Sequence, residues 1–185
     1  MKYSRLTKEQ FEALHQEFIN FLATQSVTAD EWKNLKENKP ELAEMELDVF
    51  SDLIWEGVLK SAKYLEHISP QYMHLFSINN DHMHVIAVTL KNDVDMTTKE
   101  GFSWLRENLM DEHVAFLQAK KTYSEDRNLD IFKLIQQGSV ITKGDLYNYF
   151  NKLINFLKQI INNLNGQSLR SFAWGKCKCP RISRC

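Results

Sequence analysis

The chain has 185 residues, 43% hydrophobic and 25% charged, with a formal net charge of -1; this is the make-up of a folded globular chain and excludes disorder throughout. Six glycines and three prolines are about half the usual share, which favours long helices. The closest glycines, Gly138 and Gly144, are too far apart for a phosphate-cradling loop, which argues against a Walker or Rossmann nucleotide site.

Thr7 with Gln10 forms a capping-box pattern ahead of Phe11, Leu14, Phe18, Phe21 and Leu22, so a helix is expected over 8–24. Thr28 with Glu31 repeats the signal for a short helix ending near Asn38, and Pro40 suits the first turn of the next, over 40–62. In that helix Leu42, Met45, Val49, Leu53 and Ile54 are expected inward. Glu41, Glu44, Asp48, Asp52 and Glu56 form an acidic stripe on the other side, read as a solvated face or a docking surface for cations.

From Lys63 the period changes to alternation. Tyr64 to Ser69 reads as a strand, and Gln71 to Ile78 with His82 to Leu90 as a hairpin around Asn79, Asn80 and Asp81. Thr97 with Glu100 starts a helix over 98–109, and His113 to Ala119 suggests a further strand. Ser124 opens a helix through Ile135 for which Gly138 is the left-handed stop. Thr142 with Asp145 caps the last long helix, whose seam of Leu146, Phe150, Leu153, Leu157, Ile160 and Leu164 suits packing on the chain's own body or pairing with another chain. The expected fold is therefore α+β: mostly helical, with a small antiparallel sheet around a central hairpin and a long C-terminal amphipathic helix. Residues 1–165 read as one domain and 166–185 as a tail.

The near-zero net charge is a cancellation. Residues 1–145 carry 16 basic and 24 acidic side chains, a balance of -8, whereas residues 146–185 carry seven basic and none acidic, a balance of +7. Lys176, Lys178, Arg181 and Arg184 near Phe172 and Trp174 can fold onto an acidic surface of the body or of a partner. The same interleaving suits weak, sequence-tolerant contact with nucleic acid.

Two sets of residues could hold a metal such as zinc, although no cofactor is firmly indicated. Cys177, Cys179 and Cys185 form C-x-C-x5-C, three soft ligands at an atypical spacing where a closed zinc site wants four. On the hairpin, a three-residue loop pairing Ile78 with His82 would put His74, His82 and His84 on one face; a one-residue change in the loop would separate His74 from the other two. His67, Glu66, Asp111, Glu112 and His113 could add ligands or a general base. Glu12-x-x-His15 is half of a di-iron motif with no second copy. No catalytic residue is assigned, and whether the chain is an enzyme stays open. All three cysteines fall in the last nine residues, and no apolar run approaches a membrane span or a signal peptide, so a reducing, cytoplasmic setting without membrane contact is expected.

LTKEQFEALHQEFINFLATQ, ELDVFSDLIWEGVL, YLEHISP, TTKEGFSWLRENL and IFKLIQQG together resemble an uncharacterised family of small bacterial cytoplasmic proteins of the Bacteroidetes, over roughly residues 1–160. The resemblance implies a bacterial cytoplasmic setting and no activity, cofactor or site residue. From the residues, the leading expectation is a non-enzymatic interaction or adaptor protein with an acidic body and a basic tail, binding a protein partner or itself. The alternatives are a metal-binding protein or metal-dependent enzyme, and a nucleic-acid binder acting through the tail.

Overall fold

The computed structural model describes residues 1–124 and 126–164, with side chains described up to residue 160. Two units are distinguished, residues 1–147 and residues 148–185. The elements are α1 (Lys8–Ala13), α2 (His15–Thr24), α3 (Ala29–Asn38), α4 (Pro40–Ser61), β1 (Tyr64–Ile68), β2 (Tyr72–Ile78), β3 (His82–Leu90), α5 (Lys99–Glu107), β4 (Val114–Thr122), α6 (Arg127–Gln136), β5 (Val140–Thr142) and α7 (Asp145–Leu164). The strands form one antiparallel sheet in the order β4-β3-β2-β1-β5, so the fold is α+β. Among the described residues no helix is long and apolar enough to cross a membrane.

Local signals explain most helix starts. Thr7 with Gln10 and Thr28 with Glu31 both close reciprocal capping boxes, and Pro40 fills the first position of α4. The helix expected over 8–24 is interrupted at Leu14 (φ -105, ψ 23). The bend lets Phe11, Phe18 and Phe21 all reach one ring, that of Phe50 on α4, at centroid distances of 5.8, 5.0 and 5.3 Å. Thr98 caps α5 in place of Thr97, and Asp126 caps α6 by accepting from the N–H groups of Asn128 and Leu129. Gly138 turns the chain after α6 with φ +97, as its position suggests. Thr142 does not cap the last helix. It ends β5, where its hydroxyl donates to Glu66 at 3.0 Å and accepts from the N–H of Gly144.

The main core lies on one sheet face, where Leu65, Ile78 and Met83 pack with Leu59 of α4, Ile131 and Phe132 of α6 and Tyr3 of the N-terminal segment. Met73, Leu75, Ile86, Val88 and Leu90, also buried, occupy the other face. Burying apolar side chains on both faces is the main stabilising term, at roughly 25 cal/mol per Å². Arg127 closes the end of α4: its guanidinium donates to the carbonyls of Leu59 and Ala62 at 3.0 and 3.1 Å, satisfying last-turn acceptors.

In the second unit, α7 continues from Asn148. Phe150 and Ile154 are buried, Tyr149 and Phe156 are exposed, and the rings of Tyr149 and Phe150 meet edge to face.

Candidate functional site

The hairpin histidines divide between the two sheet faces. The N–H of Asn79 donates to the carbonyl of His82 at 3.0 Å, which closes a two-residue turn of Asn80 and Asp81. Ile78 therefore opposes Met83, Ser77 opposes His84, and His74 opposes Ala87. This register buries Ile78 against Met83. It also differs by one residue from the expected pairing of Ile78 with His82, and a one-residue slip moves every side chain to the other face. Tyr123 holds the turn, its hydroxyl donating to the carbonyls of Asn79 and His82. The expected cluster of His74, His82 and His84 is thus not assembled.

His82 and His84 share a face, each with its own partner. The Nδ1 of His82 lies 2.6 Å from Oδ1 of Asp81, and Nδ1 of His84 lies 2.7 Å from the Tyr147 hydroxyl. The Tyr147 ring in turn packs at a tilt on Tyr64 with centroids 5.5 Å apart, and burial pushes its phenol up. Glu66 is on this same face and holds Thr142. His113 and Asp111 form a separate pair at 2.7 Å ahead of β4, and His15 is exposed, its Nδ1–H reaching only the Glu12 carbonyl.

His74 has a different neighbour. Across the β1–β2 ladder it directly opposes His67, with ring centroids 6.3 Å apart. Both rings line a cavity of about 270 Å³ with Phe76, Leu134, Gln137 and Ser139. Glycine suits this close pass: Gly138 has φ +97, and a Cβ there would crowd the ring at 3.3 Å from Cε1 and 3.4 Å from Nδ1 of His67. Burial, and then the charge of His67, hold the His74 imidazole below its usual range, so the neutral form with a free lone pair is favoured. No group of three or more His, Cys, Asp or Glu is placed to hold a metal ion among the described residues. Cys177, Cys179, Cys185 and the basic tail lie outside the described residues.

The acidic stripe of α4 is engaged from within the chain. Asp52 accepts from the backbone N–H groups of Lys2 and Tyr3 at 2.6 and 2.8 Å. Glu56 accepts from the Tyr3 hydroxyl, Lys2 and Asn128, and Arg5 pairs with Asp48 and Glu44. These contacts put the acidic side of α4 under the N-terminal segment, and the helix buries Ala43, Phe50, Ser51 and Leu59. The expectation that Leu42, Met45, Val49 and Leu53 point inward is overturned: they are 45, 60, 52 and 56% exposed, along one stripe of the helix. Ile54 is partly buried, as expected. Beside the aromatic cluster a further apolar groove of about 520 Å³, floored by Phe11, Phe18, Ile19 and Leu22, carries Lys8, His15 and Lys36 among its lining.

Sequence reasoning missed both the α4 stripe and the His67–His74 pair. The stripe could not be found by hydropathy, because apolar residues at helical spacing are ordinarily assigned to the core. The pair was within reach, since His67 and His74 lie symmetrically about the turn at Pro70. No curated protein and no solved structure matches the chain. In line with the resemblance of its helix phrases, residues 1–155 match the model of DUF6495, a family of unknown function, and the chain belongs to that family.

Proposed function

We propose that the chain is a non-enzymatic interaction protein that docks a partner on the outer face of α4. The observation that carries this reading is the run of Leu42, Met45, Val49 and Leu53, large apolar side chains left exposed on one face of a 22-residue helix. A contiguous exposed apolar surface is costly in water and marks a contact surface more often than chance. Glu41 and Glu46 flank the stripe in sequence. The partner that fits is an amphipathic segment whose apolar face is bordered by Lys or Arg. A second copy of the same face would set like charges against each other, which disfavours self-association here. The setting we infer is the bacterial cytoplasm, supported by cysteines confined to the last nine residues.

The test uses two labelled amphipathic peptides with one shared leucine face, bordered by lysine in one and by glutamate in the other. The full chain should bind the lysine-bordered peptide, more weakly as salt rises, and Leu53→Glu should abolish binding. Equal binding of both peptides, or unchanged binding by Leu53→Glu, would overturn the reading.

A further inference from the structure

We infer that His67 and His74 form a binding site for a first-row divalent transition-metal ion, zinc in the first instance, in the cavity they share with Gln137 and Ser139. The inference concerns residues other than the α4 stripe and stands apart from the interaction reading. Four observations carry it.

The two imidazoles are cross-strand neighbours on a rigid antiparallel ladder, so their separation is set by backbone hydrogen bonds and not by a loop. Their ring centroids are 6.3 Å apart. With Zn–N of about 2.0–2.1 Å, an ion sits about 3 Å from the centroid of each ring that binds it. At a tetrahedral angle the two centroids would stand about 5 Å apart, which rotation of either ring about its side-chain torsions can reach.

Both rings are partly buried and line one cavity. No hydrogen bond or ion pair to another described residue engages either imidazole, in contrast to His82, His84 and His113, whose Nδ1 atoms are committed to Asp81, Tyr147 and Asp111. Among the described residues no side-chain nitrogen is fully buried without a partner, so the unpaired ring nitrogens of both histidines are open to solvent.

The lining also selects among ligands. Gln137 and Ser139 supply a carboxamide and a hydroxyl, neutral oxygens able to complete a shell with water, over an apolar floor of Phe76 and Leu134. Among the described residues no lysine or arginine lines the cavity, so the described lining carries no fixed positive charge for an anion. Imidazole nitrogen is a good ligand for a borderline metal such as zinc.

Gly138 is the fourth observation. Its φ of +97 lets the chain pass beside the Cε1–Nδ1 edge of His67, where a Cβ would sit 3.3–3.4 Å away and crowd the ring. Glycine there leaves the His67 edge room to turn toward the cavity.

The experiment uses the full chain with Cys177→Ser, Cys179→Ser and Cys185→Ser, so that tail thiols cannot compete. Zinc chloride is titrated calorimetrically into tag-free protein, and the imidazole Cε1–H resonances are followed in parallel. One zinc should bind per chain and shift the resonances of His67 and His74. His67→Gln or His74→Gln should weaken binding by more than the roughly 10–100-fold that loss of an outer-shell partner costs. His82→Gln should leave it unchanged. Should either glutamine variant fail to fold, the resonance shifts in the parent decide. No zinc binding by the cysteine-free chain, binding that shifts other histidines, or binding indifferent to both glutamine variants would overturn the site. So would inorganic phosphate shifting these two resonances where zinc does not.

Discussion

The Tyr3 hydroxyl donates to the Glu56 carboxylate at 2.5 Å while the Tyr3 ring packs edge to face on Phe132. One side chain from the first few residues thus joins α4 to α6. The N-terminal segment extends the link, with Lys2 on Glu56 and Asp126 and the Trp55 indole donating to the carbonyl of Ser4. Tyr3→Ala should destabilise the chain by about 3–5 kcal/mol, as other large-to-small aromatic changes in a core do. Tyr3→Phe keeps the ring and removes the bond to a carboxylate that still has Lys2 and Asn128, so a loss of about 1–2 kcal/mol is expected. Urea denaturation of the two variants checks the ordering.

Stability should fall with acidity in two windows, and the signs follow from the direction of each shift. Folding holds His74 below its ordinary range, chiefly by burial and then by His67. A group depressed in the folded state favours folding above its unfolded value and loses that contribution as pH falls, so the first decline begins near the ordinary imidazole value of about 6.5. The Tyr3 hydroxyl, then Asn128 and Lys2, hold Glu56 down against its burial, and Lys2 first among its partners holds Asp126 down. For buried Asp130, burial pushes the carboxyl up, and the N–H and hydroxyl of Ser124 with nearby Lys121 and Lys133 outweigh it, leaving it lowered. These three give the second decline, below about pH 4. Denaturation midpoints at pH 7.5 and 5.5 should differ in the parent and converge in His74→Gln, whereas Asp130→Asn should act on the lower window.

Leu53→Glu and Val49→Glu should change stability by no more than about 0.5 kcal/mol, since exposed positions away from special features tolerate substitution. Phe50→Ala, one residue from Val49, should cost about 3–5 kcal/mol because its ring is the centre onto which Phe11, Phe18 and Phe21 pack. Thermal melts of the three variants distinguish this arrangement from one with the apolar stripe inside, in which both Glu variants would unfold the chain.

The same helix shows why part of the molecule was legible in its residues and part was not. Capping boxes are local: Thr7 with Gln10 and Thr28 with Glu31 satisfy backbone donors within four residues, so spacing alone locates them. The inward face of α4 is a tertiary matter. Apolar residues lie on both of its sides, and the choice between them is made by Lys2, Tyr3 and Arg5, which supply donors to the acidic side from more than 35 residues away in sequence. The strands around the hairpin were legible from alternation, but their register rested on one turn residue, and that residue decided which histidines meet. β5 was too short to be signalled, at three residues between Gly138 and Gly144. The expected set of His74, His82 and His84 is therefore split between the two faces, while His67 stands opposite His74.

Two glycines should respond to alanine in opposite directions. Gly144 has φ +84, and a Cβ there would lie 2.4 Å from ring atoms of Tyr64, the ring that packs at a tilt on Tyr147. Gly144→Ala must strain a left-handed backbone and displace that ring. A loss of roughly 1–3 kcal/mol, typical of overpacking, is expected, with changed Tyr147 and His84 resonances as the local signature. Gly57 lies inside α4, has no positive φ, and a Cβ there would meet nothing within 4 Å. Gly57→Ala should therefore stabilise the chain by about 0.5–1 kcal/mol, through lower entropy of the unfolded chain and better helix propensity. Gly57 is also exposed, one residue past Glu56 near the end of the apolar stripe. If a partner's backbone approaches closely there, Gly57→Ala will raise the melting temperature while weakening binding of the lysine-bordered peptide. An unchanged affinity would confine the contact to the Leu42–Leu53 portion of the helix.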